Sequence, residues 1–346
     1  MKKKQPDVQK RLFIERVPPQ LSSEATIDVS SLPHVPRRDI IRVHRLELIG
    51  KVPKQVADIR TFSPRKSRIQ ADVPGVHRWL VKTGERHYPI ESITEHLFTR
   101  LGNVVGVNMA FTKLMVIEGQ VRLCSRIFVS GSRALVHGAE ILSKFLDDPT
   151  FVQDLTGKNK NIAKQHVTLS DIDEALGFVY PSSAVELGQS LRRMLLFDAY
   201  VGCTDRHLFN WGVIVNSLRP VQRPRFSPLF DSARGLYWWH LDSQIDQKVL
   251  ASTWPTNFIN NAKCEIGLTP GHESTLLDVA EHIAEHADNS LRHWMLERFT
   301  DDTLNRIFAV IDEEFAPLLG VRRCGHLKAL LQARHTLFCQ RTSLQP

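Results

Sequence analysis

Residues 202–216 read GCTDRHLFNWGVIVN, and residues 225–235 read RFSPLFDSARG. Asp205 and Asn210 stand five residues apart in the first stretch, and Asp231 lies in the second, 26 residues after Asp205. This is the grammar of a phosphotransfer site. In the kinase signature an Asp accepts the proton of the acceptor hydroxyl, and an Asn five residues later holds a Mg²⁺ ion. A carboxylate that follows a pair of strands then holds the metal bridging the nucleotide phosphates, because hard Mg²⁺ takes oxygen ligands. Asp205, Asn210 and Asp231 are therefore the candidate catalytic residues, with Asn210 and Asp231 as the metal ligands. A D-x-x-x-x-N pair alone recurs by chance in many chains. The ordered set of loop, strand, turn, strand and second Asp is far more specific.

Upstream, a kinase needs a cation that reaches the nucleotide phosphates from a small-lobe strand. Lys82 ends HRWLVK (77–82), a run with alternating neighbours, and is the candidate. Glu95, 13 residues later on the helix SITEHLFTRL (92–101), is the residue to orient that lysine, with Glu91 in reserve. Where a glycine-rich cover belongs, TFSPRKSRIQADVPG (61–75) offers only Gly75. Lys66 and Ser67, with Arg65, Arg68 and Ser63, are read as contacting phosphate through side chains instead. The nucleotide-binding set is thus Lys82, Glu95, Lys66, Ser67 and Asp231, and the implied cofactors are ATP and Mg²⁺. His207 is read as packing and hydrogen-bonding within its loop.

Organisation along the chain fits two lobes. Residues 1–39 begin MKKKQPDVQKR and carry repeated Pro, the composition of a basic, extended or partly disordered arm. It is read as a solvated tail, with nucleic-acid or partner binding as the alternative. From 40 to 130 the text is strand-like (IIRVHRLELIG, VADIRTF, HRWLVK, NMAFTKLMVIEG, QVRLCSRIFV), with a hairpin turn at Glu118-Gly119-Gln120. One helix, Ser92 to Leu101, interrupts it, with Gly102 as its stop. From 131 to 346 helices dominate: ALVHGAEILSKFL, then SSAVELGQSLRRMLLFDAYVG with a stripe of Val185, Leu191, Leu195 and Ala199, then four runs after Ser274. WGVIVN and RFSPLF are the strands that flank the catalytic text. Trp238, Trp239 and Trp254 are read as packing of the segment after Asp231, with a substrate platform as the alternative. The expected fold is α+β and bilobal, protein-kinase-like, with catalytic loop 203–210, metal segment 227–235, and ATP between the lobes.

Composition excludes other classes. The chain has 346 residues, 42% hydrophobic, and 45 Lys+Arg against 37 Asp+Glu give a net charge of +8, too modest to decide a partner. Five scattered cysteines without a C-x-x-C argue against a disulfide framework and a zinc knuckle, and suit reduced thiols in the cytoplasm. No apolar h-region follows the basic start, and no stretch of about 18 apolar residues predicts a membrane span. His282 and His286 are four apart, but HIAEH departs from the H-E-x-x-H of metalloproteases.

The run SLRRMLLFDAYVGCTDRHLFNWGVI, followed by SPLFD, resembles the catalytic segment of HipA-like toxin kinases, with their T-D-x-H-x-x-N loop and P-L-Y-D-like metal segment. HRWLVK, ITEHLFTRLGNVVGV and LCSRIFV are similar to that family's lysine strand, following helix and later strand, so the resemblance spans about residues 60 to 235. Phosphatidylinositol 3- and 4-kinases share a D-R-H-x-x-N loop, but Thr204 and Pro228-Leu229-Phe230 look closer to HipA. Cys203 stands where family members usually carry Asn. The resemblance implies an ATP- and Mg²⁺-dependent Ser/Thr protein kinase, a toxin or effector. Such a kinase would phosphorylate itself and a host protein such as a translation factor or aminoacyl-tRNA synthetase. It implies Asp205 as base, Asn210 and Asp231 as metal ligands, Lys82 as the ATP lysine, and inhibitory phosphorylation at Ser63 or Ser67. An antitoxin partner belongs to the larger members. A lipid or small-molecule kinase and a nucleotide-binding pseudokinase are the alternatives.

Overall fold

The computed structural model describes residues 27–44, 54–63, 73–84, 88–129, 131–218, 222–232, 234–251 and 253–344. The small lobe is a six-stranded sheet in the order β1-β5-β6-β4-β3-β2, built from β1 (His34–Val35), β2 (Ile40–His44), β3 (Lys54–Ser63), β4 (Val73–Lys82), β5 (Thr112–Ile117) and β6 (Gln120–Arg126). All neighbours run antiparallel except β1 and β5. Alternation explains its two faces. Trp79, Val81, Ala57, Ile59, Met115 and Ile117 gather on one side in a separate apolar cluster. Leu114, Val121 and Leu123 point the other way into the main core with α1 (Ile90–Val105).

Two sequence expectations shift in this lobe. His34 and Val35 pair with Val116 and Ile117, and Ile27, Val29 and Leu32 pack on the main core, so the chain joins the lobe before residue 39. Two paired residues are too few for a period-2 pattern to show. The helix runs through Gly102 to Val105 and stops at Gly106, whose φ of 87° glycine tolerates best. Gly102 serves packing instead, since a Cβ there would collide with Met109 Sδ.

The large lobe opens with β7 (Arg133–His137), α2 (Gly138–Phe145), the single turns α3 (Phe151–Asp154) and α4 (Lys160–Ala163), and α5 (Leu169–Val179). The run ALVHGAEILSKFL is thus part strand, because Ala134 to His137 pair antiparallel with β8 (Gly212–Asn216). Next comes α6 (Ala184–Val201), in which Leu191, Leu195 and Ala199 are buried while Val185 is 76% exposed. In RFSPLF only β9 (Arg225–Phe226) pairs with β8. Pro228 has no N–H to continue the ladder, and Leu229 turns to bridge Met109.

The remaining elements are α7 (Asp242–Val249), α8 (Thr256–Asn260), α9 (Leu276–Glu285), α10 (Asn289–Arg298), α11 (Asp301–Val310), α12 (Ala316–Leu319) and α13 (Val321–Arg341). A π turn at Ile311–Phe315 joins α11 to α12. There Glu314 pairs with Arg100 of α1 and Phe315 meets the His96 ring, which docks the small lobe on the large one. No helix among the described residues is long and apolar enough to cross a membrane.

Candidate active site

Sheet register delivers the first site residue. Lys82 is the last residue of β4, held between Leu123 of β6 and Lys54 of β3. Its side chain is only 6% exposed, and Nζ donates to Glu95 Oε1 at 2.8 Å and Asp231 Oδ1 at 2.7 Å. Burial works to lower the ammonium pKa, but the two carboxylates outweigh it and hold the value above normal. Burial pushes the Glu95 carboxyl up against the pull of Lys82, whereas at Asp231 the lysine overcomes burial and the carboxyl is lowered. Glu95, and not Glu91, is therefore the helix carboxylate that meets Lys82.

Asp205 and Asn210 follow the end of α6. Gly202 closes that helix with φ 83°, and Arg334 of α13 donates to the terminal Ala199 carbonyl at 2.8 Å. Asn210 is buried, and its Nδ2 donates to the Asp205 carbonyl at 2.7 Å and the Asp231 carbonyl at 3.4 Å. With the amide N–H groups committed to main chain, Oδ1 accepts no hydrogen bond among the described residues, and is the oxygen a hard cation would use. Asp205 is 13% exposed at its side chain, and burial raises its carboxyl to about 6, although Arg234 beside it pulls the other way. His207 Nδ1 accepts from Phe209 N at 3.3 Å, a contact internal to the loop.

Arg206 and Asp198 complete the frame. Arg206 is wholly buried, with Nε and Nη2 on the Asp198 carboxylate at 2.7 and 3.0 Å. Its Nη1 reaches the carbonyls of Asn210 (3.0 Å) and Phe230 (2.9 Å), and Nη2 also reaches Ser232 Oγ at 2.7 Å. One guanidinium thus ties the helix, the catalytic loop and the metal segment together. The sequence signal for it was an Asp inside the apolar stretch LLFDAYV with an Arg eight residues on.

Asp231 has φ 56° in the left-handed region, where a non-glycine residue is strained. Its segment is pinned on both sides: Leu229 exchanges main-chain bonds with Asn108 and Ala110, and Thr204 N donates to the Arg234 carbonyl at 2.9 Å. Lys82, Glu95, Asp205, Asn210 and Asp231 are brought together. Lys66 and Ser67, with Arg65 and Arg68, lie outside the described residues, as does the Ser63 side chain.

No protein-family model matches the chain, and no curated protein does. Among solved structures, the Helicobacter pylori proinflammatory kinase CtkA matches with a TM-score of 0.60 and 18% identity, over 78% of this chain and 92% of that one. HipA from the Shewanella oneidensis MR-1 toxin–antitoxin complex with HipB and operator DNA matches with a TM-score of 0.45 and 16% identity, over 86% of this chain and 66% of that one. The expected α+β bilobal architecture is present, and the fold is similar to that of the CtkA kinase structure.

Proposed function

We propose, starting from this kinase fold, that the protein is an ATP- and Mg²⁺-dependent Ser/Thr protein kinase of HipA-like type. The observation that carries the reading is the convergence on one cleft of a buried Lys82–Glu95 pair, the Asp231 carboxylate it also contacts, and the Asp205–Asn210 loop. Asn210 Oδ1 and the Asp231 carboxylate are a hard oxygen set suited to Mg²⁺, which when bound supplies charge neutralisation at the phosphates. Lys82 binds and orients the nucleotide, and Glu95 holds Lys82. Asp205 accepts the acceptor hydroxyl proton as the hydroxyl oxygen bonds to the γ-phosphorus. The bond to the bridging oxygen breaks, and ADP leaves with its electron pair.

A toxin or effector role is part of the proposal, with autophosphorylation and phosphorylation of a host protein such as a translation factor or aminoacyl-tRNA synthetase. So are an antitoxin partner and a cytoplasmic location; the Shewanella neighbour was solved with HipB and DNA. The test is incubation of wild type and Asp205→Ala with Mg²⁺ and γ-labelled ATP, alone and with host lysate, read by intact mass and labelled bands. Phosphate gain in wild type only supports the reading. Label in an organic-extractable product would make it a lipid kinase, and nucleotide binding without transfer would make it a pseudokinase.

A further inference from the structure

We propose that Arg234 is a second catalytic cation, a guanidinium that contacts the transferring phosphoryl group on the acceptor side of the cleft. The inference rests on the kinase reading above and adds to it a residue three positions beyond the metal aspartate. Its Nε lies 3.4 Å from Asp205 Oδ2, and the guanidinium sits over the Trp238 ring at 5.6 Å from the centroid. No hydrogen bond holds the side chain among the described residues. The backbone, by contrast, is fixed: the Arg234 carbonyl accepts from Thr204 N at 2.9 Å, and a Cβ on Gly235 would collide with the Gly202 carbonyl. A rigid main chain therefore presents a lightly held cation beside the proposed base.

Comparison with Arg206, Lys82 and Lys164 sharpens the assignment, and Lys54 lies on the Lys82, Glu95 and Asp231 side of the site. Arg206 follows Asp205 directly, but all its partners are structural and it is 1% exposed, so it cannot turn to a phosphate. Lys82 is committed to Glu95 and Asp231 on the nucleotide side. Lys164 is paired with Glu265 at 2.8 Å. Among the described residues Arg234 alone contacts the Asp205 carboxylate, and its side chain is 49% exposed. An ion pair that open to water contributes little to folding, about 0–1 kcal/mol. It is therefore poorly explained as scaffold. Charge that develops on the equatorial oxygens during transfer is what a preorganised guanidinium stabilises, whether supplied in trans or in cis. When the acceptor hydroxyl takes its place at Asp205, Arg234 has only to exchange one carboxylate oxygen for a phosphoryl oxygen.

The experiment compares wild type, Arg234→Ala and Arg234→Lys as full-length protein. It reads single-turnover transfer from γ-labelled ATP to the protein or to water, Mg²⁺–ADP affinity by fluorescent-ADP displacement, and thermal midpoint. Arg234→Ala is expected to slow transfer by about 100-fold or more, keep ADP affinity within about twofold, and keep the midpoint within a few degrees. Arg234→Lys should recover part of the rate, and ethylguanidinium added to Arg234→Ala should raise it, which a scaffold residue would not show. Transfer by Arg234→Ala within about threefold of wild type, or a rate loss matched by an equal loss of ADP affinity, overturns the assignment. Wild type that binds ADP and transfers nothing would instead overturn the kinase reading, and this inference with it.

Discussion

Lys82 Nζ lies 2.7 Å from Asp231 Oδ1, so an ammonium at the end of a small-lobe strand contacts a carboxylate 149 residues further along the chain. The same ammonium holds Glu95 on α1. Replacing it strands the buried Glu95 carboxylate, and breaking one partner of a buried pair costs about 3–5 kcal/mol, whereas Asp231 is 38% exposed and adds less. Lys82→Met is therefore expected to lower both stability and nucleotide affinity. Urea denaturation and fluorescent-ATP titration check this; an unchanged affinity in a folded variant would remove Lys82 from the site.

Asp205→Asn keeps the shape of the side chain and removes its basicity. Transfer should fall about 100-fold to 10,000-fold, the range of a lost general base, with the thermal midpoint preserved. The wild-type carboxyl is raised to about 6, chiefly by burial. Only its ionised form accepts a proton, so kcat/KM should fall about tenfold per pH unit below 6 and level off above it. A flat profile from pH 5 to 8 would take the base role from this residue.

Arg206→Met leaves the Asp198 carboxyl buried without its partner, at a cost of about 3–5 kcal/mol. Pairing it with Asp198→Leu removes the orphan carboxyl, and a double variant more stable than the single would identify the pair as the cause. Chemical denaturation of the three proteins decides it. The double variant should still lack transfer, because the ties to the Asn210 and Phe230 carbonyls are gone.

His96 carries the acid sensitivity of the lobe junction. Its ring is largely buried against Phe315, its Nδ1 meets Thr112 Oγ1 at 2.8 Å, and burial lowers its pKa from 6.5 to about 4. Between those values the unfolded chain binds the proton and the folded chain does not. This contribution is complete above pH 6.5 and is lost as pH falls through about 4, about 3 kcal/mol in all. His96→Asn should flatten that part of the stability profile, and an identical slope in the variant would assign the effect elsewhere.

The candidate triplet could be picked out because Asp205, Asn210 and Asp231 sit, in sequence order, at spacings that phosphotransfer chemistry requires, and the fold brings the three together. Lys82 and Glu95 were readable from their order along the chain. Asp198 and Arg206 left only the mark of one Asp inside the apolar LLFDAYV, which shows burial but does not name the partner. In the fold, the two-residue strand at His34 is below the length at which alternation shows, and Ala134 to His137 fit a helical stripe as well as a strand until β8 supplies the partner. Gly102 reads as a helix stop and is instead a space for Met109. Val185 reads as part of the apolar stripe of α6, but six residues before Leu191 it lies about 120° round the helix from that stripe and is exposed.

The ties of Arg206 have a kinetic side. Its partners lie 4, 8, 24 and 26 residues away, whereas Lys82 must find Asp231 across 149. Short separations close first, because loop entropy grows with length. The floor of the cleft is then expected to assemble as a local unit, with the small lobe arriving later as its roof. Pulse-labelled amide exchange during refolding should show protection of residues 198–232 ahead of β4, and the reverse order would contradict it.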